Sequence, residues 1–127
     1  MKLSDEQFEF LLDVQMFIEW CALEHNLKIT GGELYRTQYQ QNHYFATGRS
    51  KVEHSYHQDR LAIDLNFFDG SGKQLNTKET MRFLGVYWES LNPFNVWGGN
   101  YRNFFDGNHF ERAIWNTSKK NQEREYE

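Results

Sequence analysis

Apolar positions set the period of each segment along the chain. Leu11, Val14, Ile18, Cys21 and Ala22 recur at helical spacing, flanked by Phe10 and Phe17, and predict a helix over about residues 5–25. Ser4 with Gln7 reads as its capping box, Asp5, Glu6, Glu9 and Asp13 suit its positive end, and Asn26 reads as its C-cap. Residues 27–30 form a short strand candidate broken by Gly31 and Gly32, and residues 33–36 a second extended piece. Thr37 then caps a short polar helix through Gln38, Gln41 and Phe45, ended by Gly48. Leu61, Ile63, Leu65 and Phe67 alternate with Ala62, Asp64, Asn66 and Phe68, the period of a strand. After a turn at residues 69–73, Asn76 and Glu79 resemble a second capping box. Phe83, Leu84, Tyr87, Trp88 and Leu91 form the apolar stripe of a helix over about residues 77–91. Asn92 and Pro93 end it. Val96 and Trp97 make a short strand before the bend at Gly98 and Gly99, and an Asp106-Gly107-Asn108 turn feeds a last strand at His109 and Phe110. Helices and short strands alternate without a βαβ rhythm, which predicts an α+β fold with a small, mostly antiparallel sheet and flanking helices. Residues 1–115 read as a single domain and residues 116–127 as a polar tail.

One residue breaks this pattern. Asp64 sits in the middle of an apolar strand, where a carboxylate is costly unless a cation or hydrogen bonds compensate it. His57 precedes it by seven positions. Seven is odd, so on one straight strand the two would face opposite sides. His57 must therefore lie in a bend before the strand, for which Gln58, Asp59 and Arg60 are polar enough.

Composition narrows the classes. At 127 residues the chain has room for a real core, and its 17% aromatic content can supply most of the buried area. A net charge of -4 with scattered Lys and Arg argues against a nucleic-acid partner. Cys21, the single cysteine, excludes a disulfide framework and a thiolate zinc cluster and reads as a small buried hydrophobe. No apolar run approaches ~20 residues, so no membrane span is expected. Residues 1–6 do not read as a secretory signal.

His57 and Asp64 are candidate metal ligands, since zinc takes neutral imidazole and carboxylate and a catalytic site keeps an open position. His109 is the best third ligand, with His54 as an alternative through its H-x-x-H spacing to His57. Asp106 stands three residues before His109, across a turn, where its carboxylate could act as a base toward water on the metal. Trp97 reads either as core or as a wall of the cleft.

Residues 55–64 resemble the S-x-H-x-x-G-x-A-x-D signature of zinc peptidases that cut bacterial cell-wall peptides, a family that includes D-alanyl-D-alanine carboxypeptidases, dipeptidases and phage L-alanyl-D-glutamate endolysins. Asp106 with His109 is similar to the family's acid three residues before the last histidine ligand, and Tyr35, Arg36, Thr37 and Gln41 to its Y-R-[ST]-x-x-x-Q segment. Trp97-Gly98-Gly99 and His109-Phe110-Glu111 are similar to the endolysin branch. The resemblance spans about residues 30–111 and implies the α+β fold shared with the hedgehog signalling domain. It implies one zinc per chain on His57, Asp64 and His109, with Asp106 as catalytic base. It also implies that Arg36 stabilises the oxyanion and that Gln41, Ser55 and Trp97 are substrate-orienting or substrate-binding groups. Arg60 departs from the family, standing where Gly is common. Asp106 in place of the Glu common in carboxypeptidases favours the endolysin-like branch.

These readings lead to a monomeric zinc-dependent peptidase acting on peptidoglycan stem peptides, with the L-alanyl–D-glutamate bond preferred. Such a protein would be made in the host cytoplasm and reach the wall by a holin-type route. The alternatives are a D-Ala-D-Ala carboxypeptidase, or a non-catalytic zinc-stabilised wall-binding module closed by a fourth ligand such as His54.

Overall fold

The computed structural model describes residues 1–50 and 52–115, so the expected polar tail at 116–127 lies outside the described residues. Helix α1 spans Leu3–His25. Its cap is Lys2 rather than Ser4, with the Lys2 backbone N–H donating to the Asp5 carboxylate at 3.0 Å. Asn26 closes the other end in the left-handed conformation expected of a C-cap. The buried face of α1 is Phe10, Val14, Phe17 and Cys21, whereas Leu11 and Ala22 are exposed. The aromatic pair Phe10 and Phe17 thus sets the helix rotation, because large rings bury the most area. Cys21 is fully buried, and burial pushes its thiol up to about 12, in keeping with a packing role.

Strand β1 (Lys28–Gly31) pairs antiparallel with β2 (Ala62–Phe68). Residues 33–36 are not a strand, yet two bonds prolong the ladder past Gly31: Gly32 N–H donates to Asp64 O at 2.7 Å, and Asp64 N–H to Glu33 O at 2.9 Å. Helix α2 (Gln38–Ala46) has the expected Thr37 cap, with Gln40 completing the box. Helix α3 (Lys78–Leu91) is capped by Thr77 and Thr80, not by Asn76 and Glu79, and buries Met81, Leu84, Gly85 and Trp88. Strands β3 (Asn95–Trp97) and β4 (His109–Arg112) complete a four-stranded antiparallel sheet in the order β1-β2-β4-β3.

The core lies between α1, α3 and the sheet. Phe17, Phe67, Trp88 and Phe110 meet edge to face or tilted, with ring centroids 4.8–5.9 Å apart. Arg112, on the last strand and 1% exposed, reaches back to Asp13 of α1 and bonds Asn95 at 3.2 Å. A buried guanidinium is tolerable only with such partners. Among the described residues, no helix is long and apolar enough to cross a membrane.

Candidate metal centre

Phe67 and Leu65 point into the core from β2 and leave Asp64 on the other face, half-buried. Directly across the β2–β4 pair from Asp64 is His109. The two central strands therefore bring a carboxylate and an imidazole together by register alone. His57 arrives from outside the sheet, in a 3₁₀ turn over Tyr56–Asp59 that precedes β2. This turn removes the parity obstacle of the seven-residue spacing.

The ligand-type atoms of His57, Asp64 and His109 all lie within 4.8 Å of one another. Asp64 Oδ1 is 3.4 Å from His57 Nε2 and 3.3 Å from His109 Nδ1. Two ligands each bonded at about 2.0–2.1 Å to a tetrahedral ion stand roughly 3.3–3.4 Å apart, so Asp64 stands at zinc spacing from each histidine. Each imidazole also has its second nitrogen anchored. His57 Nδ1–H donates to the Leu34 carbonyl at 3.0 Å, which leaves the Nε2 lone pair for a metal. His109 Nε2 lies 2.7 Å from Glu111 Oε1, which leaves Nδ1. The Tyr101 hydroxyl donates to the same Glu111 oxygen at 2.6 Å. Such partners fix the tautomer and orientation of a metal-binding histidine. These three residues are placed to bind a metal ion. His54 is not in the group: its Nε2 bonds Asp59 at 2.9 Å instead.

The electrostatics favour a cation at this point. Burial raises the Asp64 carboxyl, but hydrogen bonds and charge from His109 and His57 hold it well below the usual carboxylate range. Burial lowers His109, yet its bonds to Asp64 and Glu111, with the Asp106 charge, push it up to about 10. Three carboxylates thus hold a proton on His109, and a metal ion offers the same positive charge in its place.

Asp106 is carried on the turn expected from its spacing. His109 N–H donates to Asp106 O at 3.1 Å, and Asp106 N–H to Gly98 O at 3.2 Å. Its carboxyl is raised by burial, with Asp64 and Glu111 adding to the rise and His109 opposing it. The glycines of the Trp97-Gly98-Gly99 segment explain themselves here. A Cβ on Gly98 would meet Asp106 O at 2.3 Å and His109 Cβ at 2.9 Å, and one on Gly99 would meet the Trp97 ring at 2.2 Å. Gly98 lets the Asp106 turn close against β3.

Arg36 is 6% exposed and firmly held. Its Nε donates to Glu33 at 2.7 Å, Nη2 to the same oxygen at 2.5 Å, and Nη1 to Gln41 at 2.8 Å, and its guanidinium lies 4.7 Å from the Tyr44 ring centroid. Its backbone N–H bonds His57 O at 3.2 Å, so Arg36 and the first ligand form one unit.

Trp97, Gln41 and Ser55 all lie in the interior. Trp97 is 1% exposed, packs on Phe105 and donates its indole N–H to Gly107 O at 2.8 Å. It is core, and it supports the Asp106 turn from behind. Gln41 is fully buried and bonds Arg36, Ser50 and the Val52 carbonyl. Ser55 is fully buried and caps the 3₁₀ turn through the His57 N–H at 3.1 Å. Gln41 thus bonds Arg36, and Ser55 bonds His57. Tyr101, Glu33 and the Leu34 carbonyl also belong to the centre, with Glu111 of the His109-Phe110-Glu111 run. Glu111 had a readable signal, since a residue two positions from His109 on a strand shares its face. The others reach the centre only through the fold.

Arg60, the departure from the family pattern, adopts φ 55° and ψ 39° at the end of the 3₁₀ turn. That left-handed backbone is why Gly is common there. Its guanidinium lies over the Tyr35 ring, 4.1 Å from the centroid.

Comparison with known proteins agrees with this geometry. A family described as D-alanyl-D-alanine carboxypeptidase matches residues 48–112, about half of the chain. No curated protein matches the sequence. Among solved structures, the fold is similar to that of the Serratia marcescens L-Ala D-Glu endopeptidase ChiX. The TM-score is 0.68 at 16% identity, over 84% of this chain and 80% of that one.

Proposed function

This chain belongs to the D-alanyl-D-alanine carboxypeptidase family, and from that membership we propose that it is a zinc-dependent peptidase of peptidoglycan stem peptides, cutting the L-alanyl–D-glutamate bond. The observation that carries the proposal is the convergence of His57, Asp64 and His109, whose ligand-type atoms lie within 4.8 Å of one another, with Asp106 bonded to the third ligand through its turn. The likeness in fold to an L-Ala D-Glu endopeptidase supports the choice of bond.

Held by these residues, zinc would supply Lewis acidity and lower the pKa of water to about 7. Asp106 takes the proton of the attacking water and returns it to the leaving amine. Burial suits Asp106 to this exchange by raising its carboxyl. The three contacts of Arg36 leave two of its five N–H groups for the oxyanion that develops on the scissile carbonyl. Glu33, Gln41 and Tyr44 hold that guanidinium still, so little reorganisation accompanies the charge. The working unit is one monomeric domain, residues 1–115, and in a phage lytic role it would reach the wall by a holin-type route.

The test is digestion of purified cell walls with analysis of metal content and new amino termini. One zinc per chain and new D-glutamyl termini are expected. Activity that survives both chelation and Asp106→Ala would remove the proposal. The family description itself favours a second reading, release of terminal D-alanine, and mass spectrometry of the same digest separates the two.

A further inference from the structure

Helix α2 has two working faces. Gln41 points inward to Arg36. On the outward side, Gln38, Asn42 and Phe45 follow at i, i+4 and i+7 and share one surface. With Glu53 and His54 they line a groove of about 530 Å³. None of these five residues has a task in the mechanism above.

The groove is an exposed surface whose polar side chains are hydrogen-bonded to one another. Gln58 Nε2 donates to Gln38 Oε1 at 2.7 Å, and Gln38 Nε2 donates to Asn42 Oδ1 at 2.8 Å. This relay fixes both carboxamides and leaves the Asn42 N–H donors for a ligand. His54 is likewise fixed by Asp59 at 2.9 Å. Phe45 is 43% exposed, an open aromatic face beside these polar groups. Among the described residues the lining holds one carboxylate, Glu53, and no Lys or Arg, a set that accepts hydroxyl donors. An apolar flat face, an amide N–H donor and a carboxylate acceptor together suit a neutral, acetamido-bearing sugar: the ring's C–H face against Phe45, the acetyl carbonyl on Asn42, and hydroxyls on Glu53.

We propose that this groove binds an N-acetylhexosamine of the glycan strand to which the stem peptide is attached. The inference rests on the peptidoglycan reading above and specifies a second part of that substrate. Position agrees with it. His54 stands three residues before the ligand His57, and Gln38 two after Arg36, so their backbones lie within ~11 Å and ~7 Å of those residues. In the wall, a single alanine, at most about 3.6 Å of chain, separates the sugar's lactyl group from the scissile bond, so the sugar is carried close to the peptide that is cut.

The experiment has two arms. In the first, N,N′,N″-triacetylchitotriose is titrated into isotope-labelled protein. Shifts at Asn42, Phe45 and His54 are expected. Phe45→Ala should weaken binding about tenfold, the loss of one stacked face, while Phe45→Tyr retains it. An absence of shifts overturns the proposal, as do shifts given by free stem peptide and not by the sugar. In the second arm, kcat/KM is compared on glycan-linked and free stem peptide. The linked substrate should be favoured, and Phe45→Ala should lower the ratio of linked to free. An equal loss on both substrates overturns the proposal. Inactivity on both would remove the peptidase reading and leave the sugar titration to decide about the groove.

Discussion

Glu111 Oε1 sits 2.7 Å from His109 Nε2 and accepts the Tyr101 hydroxyl at 2.6 Å, so one fully buried carboxylate sets the orientation of a candidate metal ligand. Glu111→Gln keeps the shape and removes the charge. It should lower zinc affinity by roughly 10–100-fold. Tyr101→Phe should have a smaller effect in the same direction. Competition with a chromophoric chelator measures both, and unchanged affinity in Glu111→Gln would show that the contact does not tune the ligand.

Metal uptake should depend on pH through His109. Its folded-state value, about 10, lies above its ordinary value near 6.5 because Asp64 and Glu111 bond the charged ring. In the metal-free protein the stabilisation from this proton is fully present below about pH 6.5 and is lost as pH rises through about 10. Thermal melts of chelated protein should therefore fall across that window. Zinc must displace the same proton, so binding at pH 7 should release about one proton per ion. Calorimetry in buffers of different ionisation enthalpy gives that number.

Asp106→Asn preserves the turn hydrogen bonds, which use the backbone of residue 106. It removes only the base. A fall in kcat of about 10²–10⁴-fold with full zinc content is expected. Loss of zinc in this variant would instead assign Asp106 to metal binding.

Gly98 has no space for a side chain, since a Cβ would strike Asp106 O at 2.3 Å. Gly98→Ala should cost about 1–3 kcal/mol in stability, measured by denaturant unfolding. Activity should drop as well, because the atom displaced belongs to the turn that carries the base. Gly85→Ala should act on the same turn at one remove: its Cβ would strike the Trp97 ring at 2.1 Å, and that ring bonds Gly107 O.

Arg60 separates backbone strain from side-chain contact. Arg60→Ala keeps the left-handed φ of 55° and loses the stacking on Tyr35. Arg60→Gly loses the same contact and relieves the strain. The glycine variant should be more stable than the alanine variant by about 1 kcal/mol, which paired chemical melts would resolve.

Much of the site was legible because its spacing is local. Asp64 stood out as a charge within an apolar alternation, and Asp106 to His109 is a turn spacing that the backbone bond between them repeats. Elements governed by strong periodicity, such as α3, were also readable. What stayed open depended on tertiary context. Trp97 could be core or cleft wall until α3 offered Gly85 as the place for its ring. Gln41 and Ser55 belong to the motif, but burial makes them supports for Arg36 and His57. Tyr101 and Glu33 join the centre through contacts that no local period encodes. The helix caps slipped because Ser4 and Asn76 are good caps in isolation, and neighbouring residues took the positions.

The order of the strands carries one more consequence. Among the described residues, strand β4 comes last in sequence but sits inside the sheet, between β2 and β3. A ribosome delivers residues in sequence, and strands emerge before their partners. A nascent chain that has passed β3 owns His57 and Asp64 but neither His109, Asp106 nor Glu111. Chains stalled before residue 106 therefore carry two of the three candidate ligands and no candidate base. A cell that translates this protein would meet hydrolytic capacity only in molecules whose final strand has slotted into place.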